Sequence, residues 1–143
     1  MNSPEEIIAE LGYYCASVHG CSMYPLLIDH RDSVFIKQKN RYDKYDVVLF
    51  RRTDGQLVLH RLIKIKNGNY ICSGDNDRVF ETVDPKSVIG YMDEFSRNGS
   101  IKRADSAFYR IYGRIWAFSM PTKRFLQFFC KCIVVIKNKI SRM

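Results

Sequence analysis

The chain lacks an apolar run of the roughly 20 residues that crossing a bilayer requires. Its most apolar stretch, residues 125–136, is interrupted by Gln127 and Lys131. Residues 1–11 lack the basic start and apolar run of a secretory signal, so the expectation is a protein with no N-terminal membrane anchor. There are no internal repeats and no low-complexity segment. The five cysteines are Cys15, Cys21, Cys72, Cys130 and Cys132. They are odd in number, and only Cys130 and Cys132 lie close together. That argues against a disulfide framework and supplies no second ligand pair for structural zinc. A reduced cytoplasmic setting is expected, with no metal and no cofactor.

Acidic residues are absent from one region. Residues 1–105 carry 15 basic and 15 acidic side chains, whereas residues 106–143 carry eight basic residues and no acid. The whole net charge of +8 therefore lies in the C-terminal quarter. Aromatic and aliphatic residues are interleaved with these cations, and Pro121 divides the region into two expected helices, about 106–119 and 122–140. Three readings stand. A basic amphipathic helix can lie on an anionic membrane surface. It can pack on a core and present a solvated face. It can bind phosphates, although no recognised nucleic-acid motif supports that reading.

The middle of the chain reads as β-structure. Residues 33–37, 47–51, 57–65, 70–73 and 87–94 are rich in Val, Ile, Leu, Tyr and Phe and are separated by turn signals. Asp54-Gly55 and Asn67-Gly68 predict hairpins, making residues 46–73 a three-stranded meander. Ser3 and Glu6 form a capping-box pattern with Pro4 at the first helical position, which predicts a short helix over 4–11.

The chemistry centres on Gly20-Cys21-Ser22-Met23-Tyr24-Pro25, with His60-Arg61 beginning 38 positions after Ser22. Gly20 permits positive φ and Pro25 fixes its own backbone, so Ser22 is expected on a rigid turn. A serine hydroxyl is a weak nucleophile until a base takes its proton. His60, on the central strand of the meander, is the candidate base.

The Gly20–Pro25 motif resembles the Gly-x-Ser-Met-x-Pro signature of the signal peptidase I family. Asp32-Ser33-Val34, Tyr45-Asp46-Val47-Val48, Val58-Leu59-His60-Arg61, Gly74-Asp75-Asn76-Asp77 and Val88-Ile89-Gly90 resemble five further elements of that family, in the same order. Bacterial members and the related LexA-type repressors use Ser/Lys, whereas the endoplasmic-reticulum type has His-Arg at this place. The resemblance therefore implies the Ser/His branch. Arg31 and Tyr45 stand where the family usually has glycine before Asp32 and Asp46, so those turns must manage without one.

From the resemblance follow a fold and an activity. The expected fold is mainly β, a strongly bent core over residues 1–105 with a short N-terminal helix, and a basic helical extension over 106–143. The expected activity is serine endopeptidase, cutting a leader or precursor peptide, with Ser22 as nucleophile, His60 as base and Asp75 orienting the histidine. Asp77 and Asp84 remain alternatives for that third role. Met23, Tyr24 and Pro25 are expected to contact substrate bound as an extended strand. A LexA-like repressor would place a DNA-binding domain before the core, and with 19 residues before Gly20 none is expected here. The partners expected are a precursor peptide and an anionic membrane surface met by residues 122–143. The inner membrane face would then be the place of action. A competing reading is a non-catalytic peptide-binding or membrane-docking module on the same fold.

Overall fold

The computed structural model describes residues 1–118 and 139–140. Helix α1, Pro4–Leu11, opens with the predicted capping box: the Ser3 hydroxyl accepts from the Glu6 N–H, and the Glu6 carboxylate accepts from the Ser3 N–H. Gly12 closes it in the left-handed region. Eight strands follow: β1 Tyr14–Ser17, β2 Ser33–Lys37, β3 Val47–Arg51, β4 Leu57–Lys66, β5 Asn69–Ser73, β6 Glu81–Val83, β7 Val88–Arg97 and β8 Ser100–Arg103. Helix α2, Ala107–Phe118, follows β8.

All pairings are antiparallel, in the order β1-β2-β7-β3-β4-β5-β6, with β8 alongside β7. The predicted meander is present as β3-β4-β5, with His60 on its central strand. Strand β7 is the hub. One edge pairs with β2, and the other holds β3 at Val88–Tyr91 and β8 at Glu94–Arg97. Register shifts in the β2/β7, β3/β7 and β4/β5 pairs bend the sheet, as an extra residue in one strand does.

Strand β3 shows why the bend matters. Val47 and Leu49 pack into one core cluster with Val34, Ile36, Ile89, Met92 and Phe95. Val48 and Phe50, on its other face, pack with Val58, Leu62, Cys72 and Val83. Both faces are covered, which is why this strand reads as an unbroken apolar run rather than an alternating one.

Two turns that lack the expected glycines find other solutions. Tyr45 itself adopts φ +77°. Its N–H donates to the Leu62 carbonyl at 2.6 Å and its carbonyl accepts from Arg61 at 3.0 Å. Before Asp32 the left-handed residue is His30, at φ +56°. The buried Asp32 carboxylate then ties the turn by accepting from the Ile28 N–H at 2.9 Å and from the Arg31 side chain.

Helix α2 packs on the core. Tyr109 meets Phe95 edge to face, with ring centroids 4.9 Å apart. The expected second helix lies outside the described residues, apart from positions 139–140. Among the described residues no helix is long and apolar enough to cross a membrane.

Candidate active site

Ser22, His60 and Asp77 line one cavity of about 410 Å³. Its walls come from the two arms of the bent sheet: Tyr14, Ala16 and Val34 from β1 and β2, and Leu49, Val58 and Leu59 from β3 and β4. Ser22 sits half-buried on the loop between β1 and β2, where Gly20 takes φ +82°.

The segment 74–77 holds this loop in place. The Asn76 N–H donates to the Ser22 carbonyl at 2.8 Å, and the Asn76 side-chain amide donates to the Cys21 carbonyl at 3.1 Å. A Cβ on Gly74 would lie 2.5 Å from the Ser22 carbonyl oxygen and 2.6 Å from Asp77 Oδ2. Only glycine allows so close an approach, which explains the residue in chemical terms.

The same segment delivers Asp77. Its Oδ2 lies 3.3 Å from His60 Nε2. His60 is buried, with Phe50 packed edge to face against its ring. Burial penalises the imidazolium and lowers the His60 pKa from 6.5; the Asp77 and Glu81 charges oppose that shift in part. The imidazole is thus held neutral, the form able to accept a proton. Its Nδ1 is buried with no hydrogen-bond partner among the described residues. A buried polar atom left unpaired costs about 1–3 kcal/mol, so such atoms mark places where something other than stability is served.

The structure differs from expectation at Asp75. This carboxylate does not meet His60. It is buried and takes a two-pronged ion pair from Arg61, Nε to Oδ1 at 2.7 Å and an Nη to Oδ2 at 2.8 Å. Successive residues of β4 point to opposite faces of the sheet, so His60 and Arg61 cannot share one partner. Asp77 goes to the histidine and Asp75 to the arginine. Asp84 caps the short helical turn Pro85–Ser87 and accepts from the Lys86 N–H, away from the cavity. Of the expected substrate contacts, Met23 lines the cavity while its bulk is buried in the core. Tyr24 is exposed and Pro25 half-buried, and neither lines it.

Other cavity residues carried no sequence signal: His19, Arg52, Gln56 and Leu57. Arg52 pairs with Glu81 and also donates to Gln56. The pair places one further charge of each sign near His60.

Helix α2 braces the far side of the Arg61–Asp75 pair. A Cβ on Gly113 would lie 2.6 Å from an Arg61 Nη, so glycine lets the helix settle onto the guanidinium. The Tyr112 ring lies beside the same group, at 5.8 Å. The Trp116 indole N–H donates to the Asp75 carbonyl. A continuous series of contacts thus runs from α2 through Arg61 and the 74–77 segment to Ser22.

The bent antiparallel sheet thus carries a serine turn, a buried histidine and an acidic partner around one cavity. The family model of Peptidase S24-like proteins matches residues 1–92, well over half of the chain, and the chain belongs to that family. This supports the expected superfamily and peptidase-type function in general. No curated protein matches the chain.

Proposed function

We propose that the protein is a serine endopeptidase of the Ser/His kind, acting on a leader or precursor peptide. The observation that carries this reading is the shared cavity, lined by Ser22 and by a buried His60 with Asp77 beside the imidazole. In the proposed reaction His60 takes the Ser22 proton as the hydroxyl oxygen attacks the scissile carbonyl. The resulting acyl-enzyme releases the amine, which receives that proton from His60. Water, deprotonated by His60, then attacks the ester and frees Ser22. Proton transfer needs the hydroxyl and an imidazole nitrogen within about 2.6–3.2 Å, an approach that free enzymes often complete only with substrate bound. Asp77 stabilises the imidazolium formed on the way. An extended peptide would lie along the edge strand β1, which lines the cavity and pairs only with β2 among the described residues. Cleavage assays with Ser22→Ala and His60→Ala test the reading: both should lose turnover while keeping the fold.

A second element of the proposal concerns location. Phe108, Ile111, Ile115 and Phe118 are exposed on α2, on the side away from the packed Tyr109, Tyr112 and Trp116. Arg110 and Arg114 flank this stripe. With the uniformly basic sequence beyond it, the stripe supports docking on an anionic membrane at the inner face, where cationic side chains meet lipid headgroups. Of residues 122–143, expected to meet the membrane, only 139–140 lie within the described structure. Co-sedimentation with anionic vesicles should be lost in high salt and in Ile111→Glu/Ile115→Glu. Binding unaffected by both would remove this element and leave the peptidase reading intact.

A further inference from the structure

The loop that carries Ser22 also carries a set of donors with no part in the proposed reaction. The Val18 N–H donates to the Asp32 carbonyl and the His30 N–H donates to the Val18 carbonyl, both at 3.0 Å. These two bonds bring the start and end of the loop together and set His19 beside His30. The imidazole centroids are 5.1 Å apart, edge to face. Asp29 Oδ1 lies 3.3 Å from His30 Nε2. One donor atom from each of His19, Asp29 and His30 falls within 4.8 Å of the others, and all three residues are exposed. Distant in sequence from Cys130 and Cys132, this cluster is invisible to a search for cysteine ligand pairs.

We propose that His19, Asp29 and His30 bind a divalent transition metal of the zinc type, and that the bound ion restrains the nucleophile loop and lowers peptidase activity. Two imidazoles and one carboxylate suit Zn²⁺, Co²⁺ or Ni²⁺; Mg²⁺ and Ca²⁺ prefer sites built of oxygen alone. Zinc–ligand bonds of about 2.0–2.2 Å place tetrahedral donors roughly 3.5 Å apart, a spacing that small side-chain rotations reach from the present one. Three protein ligands leave one position for water. The anchoring is firm, because Asp32 at the loop's end is buried and bonded to Ile28 and Arg31. The consequence for activity follows from position: His19 lines the same cavity as Ser22, three residues along the chain. Fixing His19 to the far end of the loop limits the adjustment that brings the Ser22 hydroxyl to His60. The effect on activity rests on the peptidase reading above, whereas metal binding does not.

The test is calorimetric titration of the full chain with Zn²⁺, in a background where Cys15, Cys21, Cys130 and Cys132 are serine. One equivalent should bind. Affinity should survive His60→Ala and fall at least about tenfold in His19→Ala and His30→Asn, in line with the loss of a metal-site partner. Asparagine is chosen at position 30 because it tolerates the left-handed backbone there. Melting curves without metal should coincide for the parent, His19→Ala and His30→Asn, and Zn²⁺ should raise the melting temperature only where the site is intact. Absence of binding in this background, which keeps only the buried Cys72, would overturn the proposal. So would equal affinity in His19→Ala and His30→Asn, or loss of binding only in His60→Ala. Binding without any change in peptide cleavage would overturn the regulatory part alone.

Discussion

At the scale of single residues, the site turns on how two aspartates divide between His60 and Arg61. The types were legible in the sequence, since Gly74-Asp75-Asn76-Asp77 offers two carboxylates and His60-Arg61 offers two cationic partners. Their pairing was not, because it depends on which face of β4 each side chain takes and on how tightly the 74–77 turn closes. The pairing predicts distinct phenotypes. Asp75→Asn leaves a buried guanidinium without its counter-charge and should cost about 3–5 kcal/mol of stability, read by denaturant unfolding. Asp77→Asn should instead alter the chemistry. With its pKa lowered by burial, His60 is neutral at pH 7, so kcat/KM should fall on acidification with an inflection below the ordinary histidine value of about 6.5. Asp77 opposes that lowering, so Asp77→Asn should move the inflection further down while reducing the plateau. An unmoved inflection would show that Asp77 does not act on His60. The same burial bears on stability. Below about pH 6.5 the unfolded chain protonates this histidine before the folded chain does, so its contribution is present above that pH and declines as pH falls towards the folded value. A further residue-scale outcome concerns thiols. Cys72 is fully buried and its pKa is pushed up to about 12, whereas Cys15 and Cys21 are exposed. Alkylation followed by mass spectrometry should label Cys15 and Cys21 and spare Cys72 in the folded protein.

At the scale of elements, the strands that form both core clusters were readable. Strands β2 and β3 match their expected bounds, β4, β5 and β7 differ by one to three residues at their ends, and α2 begins one residue later than expected. Strands β1, β6 and β8 carry little signal in the sequence. Tyr-Cys-Ala-Ser and Glu-Thr-Val are too short to show a period, and Ser-Ile-Lys-Arg is exposed throughout. Each exists because a longer neighbour offers an edge to pair with, a tertiary cause with little local signal. Close contacts between elements carry the next prediction. Gly74→Ala forces a Cβ into the Ser22 carbonyl and should cost roughly 1–3 kcal/mol, with activity falling further than stability because the nucleophile turn must move. Gly113→Ala gains up to about 1 kcal/mol of helix propensity. It also pushes against an arginine already fixed by Asp75, so the net effect on thermal unfolding should be destabilising.

At the scale of the whole molecule, the two arms of a bent sheet bring Ser22 and His60, 38 positions apart, to one cavity. The mainly β architecture could be anticipated because six short motifs occur in a fixed order, and the cavity is lined by the Ser22 and His60 that those motifs single out. The packing of α2 on the Arg61–Asp75 pair could not, since it is made by one glycine and two aromatic side chains with no motif of their own. The central claim is that Ser22 and His60 together hydrolyse peptide bonds. Its most direct test incubates the wild-type chain, Ser22→Ala and His60→Ala with a diverse peptide library at pH 7.5–8 and reads new termini by mass spectrometry. The prediction is cleavage by the wild type alone, with each variant reduced by roughly 10⁴-fold or more. Cleavage that persists in Ser22→Ala, or a wild-type chain that cuts nothing, would contradict it.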